Sequence, residues 1–343
     1  MTTERTTTAR DAPFADPVRH RAIELDDRFG DPWDAGNPLG HTAVLAADER
    51  AELLAAGEAM LDDFGLGAEF VPTALGGRLR RLDDLIEIMR TVFRRDPSLG
   101  LGYGASSLIA AVNVWTGGNA AQRRDVADLL LSGGKLACGY FELAHGNDLA
   151  RVDLTAHADG DLLRIAGGKQ VISNIARADA VVVFARTAAA AGNRSHSQIL
   201  IERAALPAGC VTDQPRFATT GMRGVQLGGI EFRDCPVPAD RVLGAAGRGL
   251  EIALTSFQIT RVALPGMFLG ILDSGLRTTV RYALGRSLYG RSVADLPLTR
   301  AVLNDVFVDL LVCDCVTTVV ARALHVLPRE ASISRSIRRK AKS

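Results

Sequence analysis

The sequence predicts an α+β protein: an N-terminal helical domain, a middle antiparallel β-domain and a C-terminal helical bundle. Three observations carry that prediction. Helical periodicity runs from about Thr42 to Gly134; short β-branched segments broken by Asp-Gly and Gly-Gly fill Leu136 to about Leu243; long apolar helical patterns return from Gly247. The domain boundaries follow: 1–41 a polar extension and linker, 42–135 the helical domain, 136–245 the β-domain, and 246–343 the C-terminal helices.

In the first helical domain the segments are DERAELLAAGEAMLDDFG, LDDLIEIMRTVFRRD, SSLIAAVNVW and NAAQRRDVADLLLSGG. Asn119 is placed as an N-cap of the last, and Gly133 as its stop. In the β-domain DLLRIA, KQVISN, AVVVFAR, SQILIER and QLGGIEF read as strands. Asp159-Gly160 and Gly167-Gly168 read as hairpin signals because both accept positive φ. Strands do not alternate with helices, which argues against a doubly wound nucleotide-binding sheet.

Beyond the flexible link Gly244, Gly247 and Gly249, the segment GLEIALTSFQITRVALPGMFLGILDSGLRTTVRYALGRS is apolar nearly all round, so it should be buried on several sides and kinked at Pro265. A second long helix should start at Pro297 and run to Leu327, burying a seam of Val302, Val306, Leu310, Cys313, Val316, Val320, Leu324 and Leu327.

Composition excludes several classes. Lys+Arg 40 nearly balances Asp+Glu 39, and Arg335, Arg338, Arg339, Lys340 and Lys342 crowd the C-terminal end, so the body is slightly acidic. With 5% aromatics it lacks a basic stripe and stacking platform, and no nucleic-acid partner is expected. The polar start MTTERTTTARDA and the lack of any run of eighteen apolar residues predict no membrane span and a soluble, cytoplasmic protein. Five scattered cysteines fit reduced thiols. Cys313 and Cys315 point apart on a helix, and the six histidines show no ligand spacing, so no metal site is expected. GxGxxG, GxxxxGK[ST] and GxSxG are all absent, and residue patterns alone name no reaction.

Five runs, in order, resemble the acyl-CoA dehydrogenase family of flavoproteins. FGLGAEFVPTALGGRLRRLDDLIEIM resembles the family's Pro, paired glycines and long helix. FELAHGNDL takes the place of TEPxAGSD, and GGKQVISNIARADAVVVFART that of NGxKxWITN with its following strand. TGMRGVQLGGIEFRDCPVPADRVLGAAGRGLEIAL matches the LGxRGS…VPxxxxLGxxGxG run, and ITRVALPGMFLGILDSGLRTTVRYALGRSLYG the helix ending in RxxFG.

The resemblance implies FAD as cofactor and an acyl thioester of CoA or a carrier protein as substrate. A base would remove the α proton while the β hydrogen leaves as hydride to the flavin, giving a 2,3-double bond. It places the backbone of Tyr140 and Phe141 along the flavin edge, the Ser173 hydroxyl on the flavin, and Arg286 with Tyr289 on the FAD pyrophosphate, commonly across a subunit boundary. Asn147, Gln258 and Arg261 would face the acyl thioester. Phe141 replaces a threonine, Val171 a tryptophan, Val225 a serine and Pro297 a glutamine. The catalytic base is unassigned: one family position is Thr260, which cannot serve by itself, and the other would lie past Ser343, where the chain stops before the family's last two helices. Glu251 and Glu330 match neither position. The resemblance implies a dimer or tetramer and leaves the electron acceptor open. Its alternatives are a non-catalytic binding or structural homologue and a flavin monooxygenase on the same fold.

Overall fold

The computed structural model describes residues 17–188, 192 and 194–324. The basic C-terminal end, His325, Leu327 and Glu330 lie outside the described residues.

Helix begins earlier than expected. Within the segment read as a polar linker, α1 (Pro17–Phe29) forms because Ala22, Leu25 and Phe29 recur at three and four residues and bury against the helix Leu82–Arg95. The run read as one helix over 48–65 is two, α2 (His41–Glu49) and α3 (Ala55–Phe64), parted where Ala51 takes a positive φ of 57°. α4 (Leu82–Arg95) is strongly amphipathic, and Leu85, Ile88, Met89 and Val92 are its buried stripe. α5 (Pro97–Leu99) runs through a π-helical stretch, Gly100–Ala105, into α6 (Ser106–Gly117). α7 (Ala120–Leu131) is capped by Asn119 as expected, and Gln122 completes a capping box with it.

Asp96, at the α4–α5 corner, is 3% exposed; it accepts the Ser98 amide at 2.7 Å, yet burial pushes its carboxyl up to about 6. An acid whose pKa is raised on folding stabilises the fold below its unfolded pKa, and that contribution is lost as pH rises through about 6. Asp96→Asn keeps the acceptor and removes the charge. It is expected to be more stable than the parent at pH 8 by roughly 1–3 kcal/mol. That gain should vanish near pH 4 when melting is followed across pH.

The strands are β1 (Leu136–Gly139), β2 (Thr155–Asp159), β3 (Leu162–Ile172), β4 (Ala180–Arg186), β5 (His196–Glu202), β6 (Val211–Gln214) and β7 (Gly228–Pro238). They form one seven-stranded sheet ordered β1-β4-β2-β3-β7-β6, with β5 on β4. The sheet is mixed where an antiparallel one was expected, since β1 and β2 both run parallel to β4. Asp159-Gly160 does turn the β2–β3 hairpin, with Gly160 at φ 60°. Gly167-Gly168 does not turn a hairpin. It lies inside β3, where Gly167 at φ 115° makes a register shift, so DLLRIA and KQVISN belong to one bulged strand.

α8 (Gly249–Gly285) is long and apolar enough to cross a bilayer by length and composition, and half of that window is buried, as in the core helix of a soluble protein. It continues through Pro265. Between Ile252 and Gly270 it buries one face while Leu254, Gln258, Arg261 and Pro265 stay exposed, and beyond Gly270 it is largely exposed, so the expected burial on several sides is not found. The close crossing with α4 needs small residues: a Cβ on Gly270 would lie 2.3 Å from the Arg90 carbonyl oxygen, and one on Gly266 2.9 Å from Ile86. Gly270→Val is therefore expected to cost about 3 kcal/mol or to abolish folding, measured by denaturant midpoint.

A small hairpin, β8 (Ser287–Leu288) and β9 (Arg291–Ser292), leads to α9 (Pro297–Ala323), with Pro297 in its first turn as predicted. The predicted seam is not buried. Val302, Val306, Val316 and Val320 are exposed; α9 instead turns Ala321 inward and pairs Asp314 with Arg90 at 2.8 Å and Arg322 with Asp83 at 3.0 Å on α4.

Candidate functional site

Folding brings the start of the 140–154 loop, the end of β3 and the first half of α8 to one place. The Phe141 carbonyl accepts the Gln170 amide at 2.9 Å, so Phe141 runs alongside the bulge at 169–172. In that bulge Val171 is 41% exposed at φ 57°, a costly conformation for a β-branched residue. Two further positions from it, the Ser173 hydroxyl is half-buried and has no hydrogen-bond partner among the described residues. Asn174, at φ 64° and fully buried, leaves its side-chain amide nitrogen unbonded.

A buried ion pair holds these segments. Lys169 Nζ donates to Glu142 Oε1 at 2.7 Å and to the Tyr140 carbonyl at 3.1 Å, while Glu142 accepts the Asp153 and Leu154 amides at 2.6 and 3.0 Å. Burial lowers the Lys169 pKa and the Glu142 partnership opposes this. Glu142, His145 and Asp153 offer ligand atoms within 4.8 Å of one another, a cluster the sequence reading passed over. Its central carboxylate is already occupied by an ammonium and two amides, which leaves little for a cation.

Tyr140 turns its side chain inward. Its hydroxyl donates to Asn113 Oδ1 at 2.5 Å and accepts from Gln198 Nε2 at 2.9 Å, and its ring packs 5.0 Å from Phe257 of α8. Burial raises the Tyr140 pKa well above its ordinary value, so the hydroxyl stays a donor. Arg261 lies over the Phe257 ring at 5.4 Å. Between them Thr260 is buried, its hydroxyl 3.4 Å from the Phe257 carbonyl. No carboxylate stands at that position. Glu251, which matches neither base position, is exposed and held by Arg248, whose hydrogen bond lowers its pKa.

The site residues expected from sequence thus divide. Tyr140 and Phe141 lie beside the β3 bulge through their bonds with Lys169 and Gln170, and Ser173 follows that bulge, while Thr260 and Arg261 lie about one turn along α8 from Phe257, which meets Tyr140. Gln258 is exposed one turn from Arg261, and Asn147 is exposed in the loop after Glu142, its side chain without a partner among the described residues. Arg286 and Tyr289 are elsewhere: Phe257 and Arg286 are roughly 40 Å apart along α8 at 1.5 Å per residue. Tyr289 is 88% exposed. At that separation one chain cannot bring Ser173 to the flavin ring and Arg286 to the pyrophosphate of the same FAD.

The acyl-CoA dehydrogenase middle-domain family matches residues 137–235, and the acyl-CoA dehydrogenase C-terminal-domain family matches 247–334. The chain belongs to the acyl-CoA dehydrogenase family. Mitochondrial isovaleryl-CoA dehydrogenase of Pongo abelii is 27% identical over 262 residues, 74% of this chain and 60% of that protein. The chain therefore spans about 60% of the length of the curated relatives it matches. Butyryl-CoA dehydrogenase from Megasphaera elsdenii superposes with a TM-score of 0.80 at 20% identity, covering 94% of this chain and 80% of that one. An acyl-CoA dehydrogenase from Bacillus anthracis, complexed with FAD, gives 0.76 at 21% identity over 89% of this chain and 51% of that one. These superpositions match the helical, sheet and helical regions in order.

The residues at the β3 bulge fit a flavin of this family in part. Ser173 offers an unbonded hydroxyl beside the strained bulge, where Val171 presents no aromatic ring. Arg286 offers a guanidinium with no partner among the described residues. Phe141 offers no hydroxyl. The residues missed by sequence reasoning are Glu142, Asn113 and Gln198, whose bonds to Lys169 and Tyr140 join positions 27 to 58 apart in the chain.

Proposed function

We propose that this protein is an FAD-dependent oxidoreductase acting on an acyl thioester of CoA or of a carrier protein, working as a homo-oligomer. The observation that carries the reading is the strained bulge at 169–172, followed by the unbonded Ser173 hydroxyl and set beside Phe141, whose neighbour Tyr140 packs on Phe257 one turn from Thr260 and Arg261. When bound, FAD would accept the hydride from the β carbon of the acyl group. The Ser173 hydroxyl and the backbone near Phe141 would hold the ring edge, and Arg286 of a second copy the pyrophosphate. The 40 Å separation of these groups supports an oligomer, and so does the exposed apolar face of α9, with Val302, Val306, Val316 and Val319 all more than 40% exposed. Arg261 would attract the negatively charged carrier. Such a protein would work in the cytoplasm.

A second reading, a binding subunit without its own base, is favoured by Thr260 standing where the base should be. Both readings are tested by adding FAD to the purified chain and measuring bound flavin and particle mass. The enzyme reading requires flavin uptake and a particle larger than 36.5 kDa; a colourless monomer that takes up no FAD would sink it.

A further inference from the structure

The sequence scatters the five cysteines, and folding brings two of them together. Cys210 stands immediately before β6 and Cys235 lies in β7, 25 positions on, and the two strands pair antiparallel from Val211 opposite Phe232. The Arg233 amide donates to the Cys210 carbonyl at 2.8 Å. Asp234 then takes a positive φ of 51°, at the register shift that sets Phe232 opposite Gly167 and Cys235 opposite Ile165. That bulge turns Cys235 to the same side as Phe232, and both are fully buried in the core of the sheet. Cys210, half-buried, packs against the same core. The Cys235 thiol donates to the Cys210 carbonyl oxygen at 2.6 Å, and the Cys210 thiol is within its hydrogen-bonding reach as well.

The two sulfurs differ in the way a two-step oxidation needs. Solvent reaches Cys210, whereas Cys235 is sealed in the core, where burial and the hydrogen bond to Cys210 push its thiol up to about 12. A thiol that a dissolved oxidant cannot reach is thus held against one that it can. The other cysteines are placed differently. Cys138 meets the Asn113 side-chain nitrogen at 3.7 Å, and burial raises its thiol well above the ordinary range. Cys313 and Cys315 are exposed on α9, where residues two apart point in different directions.

We propose that Cys210 and Cys235 are a peroxide-sensitive dithiol that closes to a disulfide between β6 and β7. The Cys210 thiol loses its proton to solvent, and the thiolate attacks hydrogen peroxide: an S–O bond forms, the O–O bond breaks, and the departing hydroxide is protonated to water. The Cys235 sulfur then attacks Cys210 Sγ. The S–S bond forms, the S–O bond breaks, and the hydroxide released takes the Cys235 proton to give a second water. The two thiols lose two electrons, and peroxide gains them. The bond closes a 25-position loop and ties the start of β6 to β7, which pairs with β3 as far as Ile172. Nothing in this chemistry rests on the flavin reading.

The test is treatment of the purified chain with hydrogen peroxide, alkylation of the remaining thiols and tryptic mapping without reductant. Cleavage after Arg203, Arg216, Arg233 and Arg241 puts the two cysteines on separate peptides, 204–216 and 234–241. The expected product is these peptides joined, lighter than their sum by two hydrogens and parted again by dithiothreitol. The oxidised protein should melt about 5 °C above the reduced one, as closure of a loop of this length predicts. Cys235→Ala should stop at the sulfenic acid, so that dimedone labels Cys210 several-fold more than in the parent. Cys210→Ser should give no cross-link and no label on Cys235. Circular dichroism checks that each variant is folded, and Cys235→Val, which refills the core, serves in place of Cys235→Ala where that variant is not. Oxidation of Cys313 and Cys315 without joining 204–216 to 234–241, cross-linking of either cysteine to another position, or equal dimedone labelling of Cys210 in the parent and the Cys235 variant would overturn the proposal.

Discussion

Lys169→Met is expected to destabilise the protein by about 3–5 kcal/mol, because removing one member of a buried ion pair strands the other. Lys169 is fully buried and Glu142 is 5% exposed. Without the ammonium, the Glu142 carboxylate keeps the amides of Asp153 and Leu154 and the His145 ring at 3.9 Å, and the Tyr140 carbonyl loses its donor. The double variant Glu142→Gln/Lys169→Met should recover most of the loss, since a neutral amide needs no counter-ion. Equilibrium denaturation of both variants measures this. A single variant within 1 kcal/mol of the parent would mean that the pair is not what holds the loop. The effect should reach the site, because the pair ties the strand before Phe141 to the bulge before Ser173. Flavin retention should therefore fall with stability in Lys169→Met and return in the double variant.

The second large effect concerns the base. Thr260 is buried one turn from Phe257, next to Arg261, and its hydroxyl cannot take a proton from a carbon acid. Thr260→Glu is expected to raise the rate of acyl-CoA-dependent dye reduction roughly 10²-fold or more, the usual contribution of a positioned general base. Burial would hold that carboxyl above its ordinary pKa, so the gain should grow as pH rises through neutrality. Thr260→Gln, of the same shape but unable to accept a proton, is the control. Equal rates in the two variants would place the proton acceptor elsewhere or the chemistry outside dehydrogenation.

Local signals made much of the fold legible. Asn119 with Gln122, Asp159-Gly160 and Pro297 each specify their structure through neighbours a few residues away, and each is found where its sequence places it. Misreadings arose where distant partners decide. The polar composition of α1 hid a narrow stripe whose meaning depends on α4, and Gly167-Gly168 makes a bulge because β7 continues alongside β3. The apolar seam of α9 reads as core by period, but Asp314 and Arg322 orient the helix by pairing with α4, which leaves the valines outside.

The site was legible only as a resemblance. Motif positions name Phe141, Ser173 and Arg261 as candidates, yet nothing in their spacing shows that α8 carries Arg286 far from them. Nor does any spacing show that Cys210 and Cys235, 25 positions apart, meet across two strands. Those relations belong to packing, and only the three-dimensional structure shows them.

The most direct test of the account is the visible spectrum of the FAD-loaded protein, recorded without oxygen before and after an acyl thioester is added. Bleaching of the flavin bands, with formation of a 2,3-unsaturated product, is the predicted result. A flavin spectrum untouched by any acyl thioester, CoA-linked or carrier-linked, would contradict the claim that this site oxidises them.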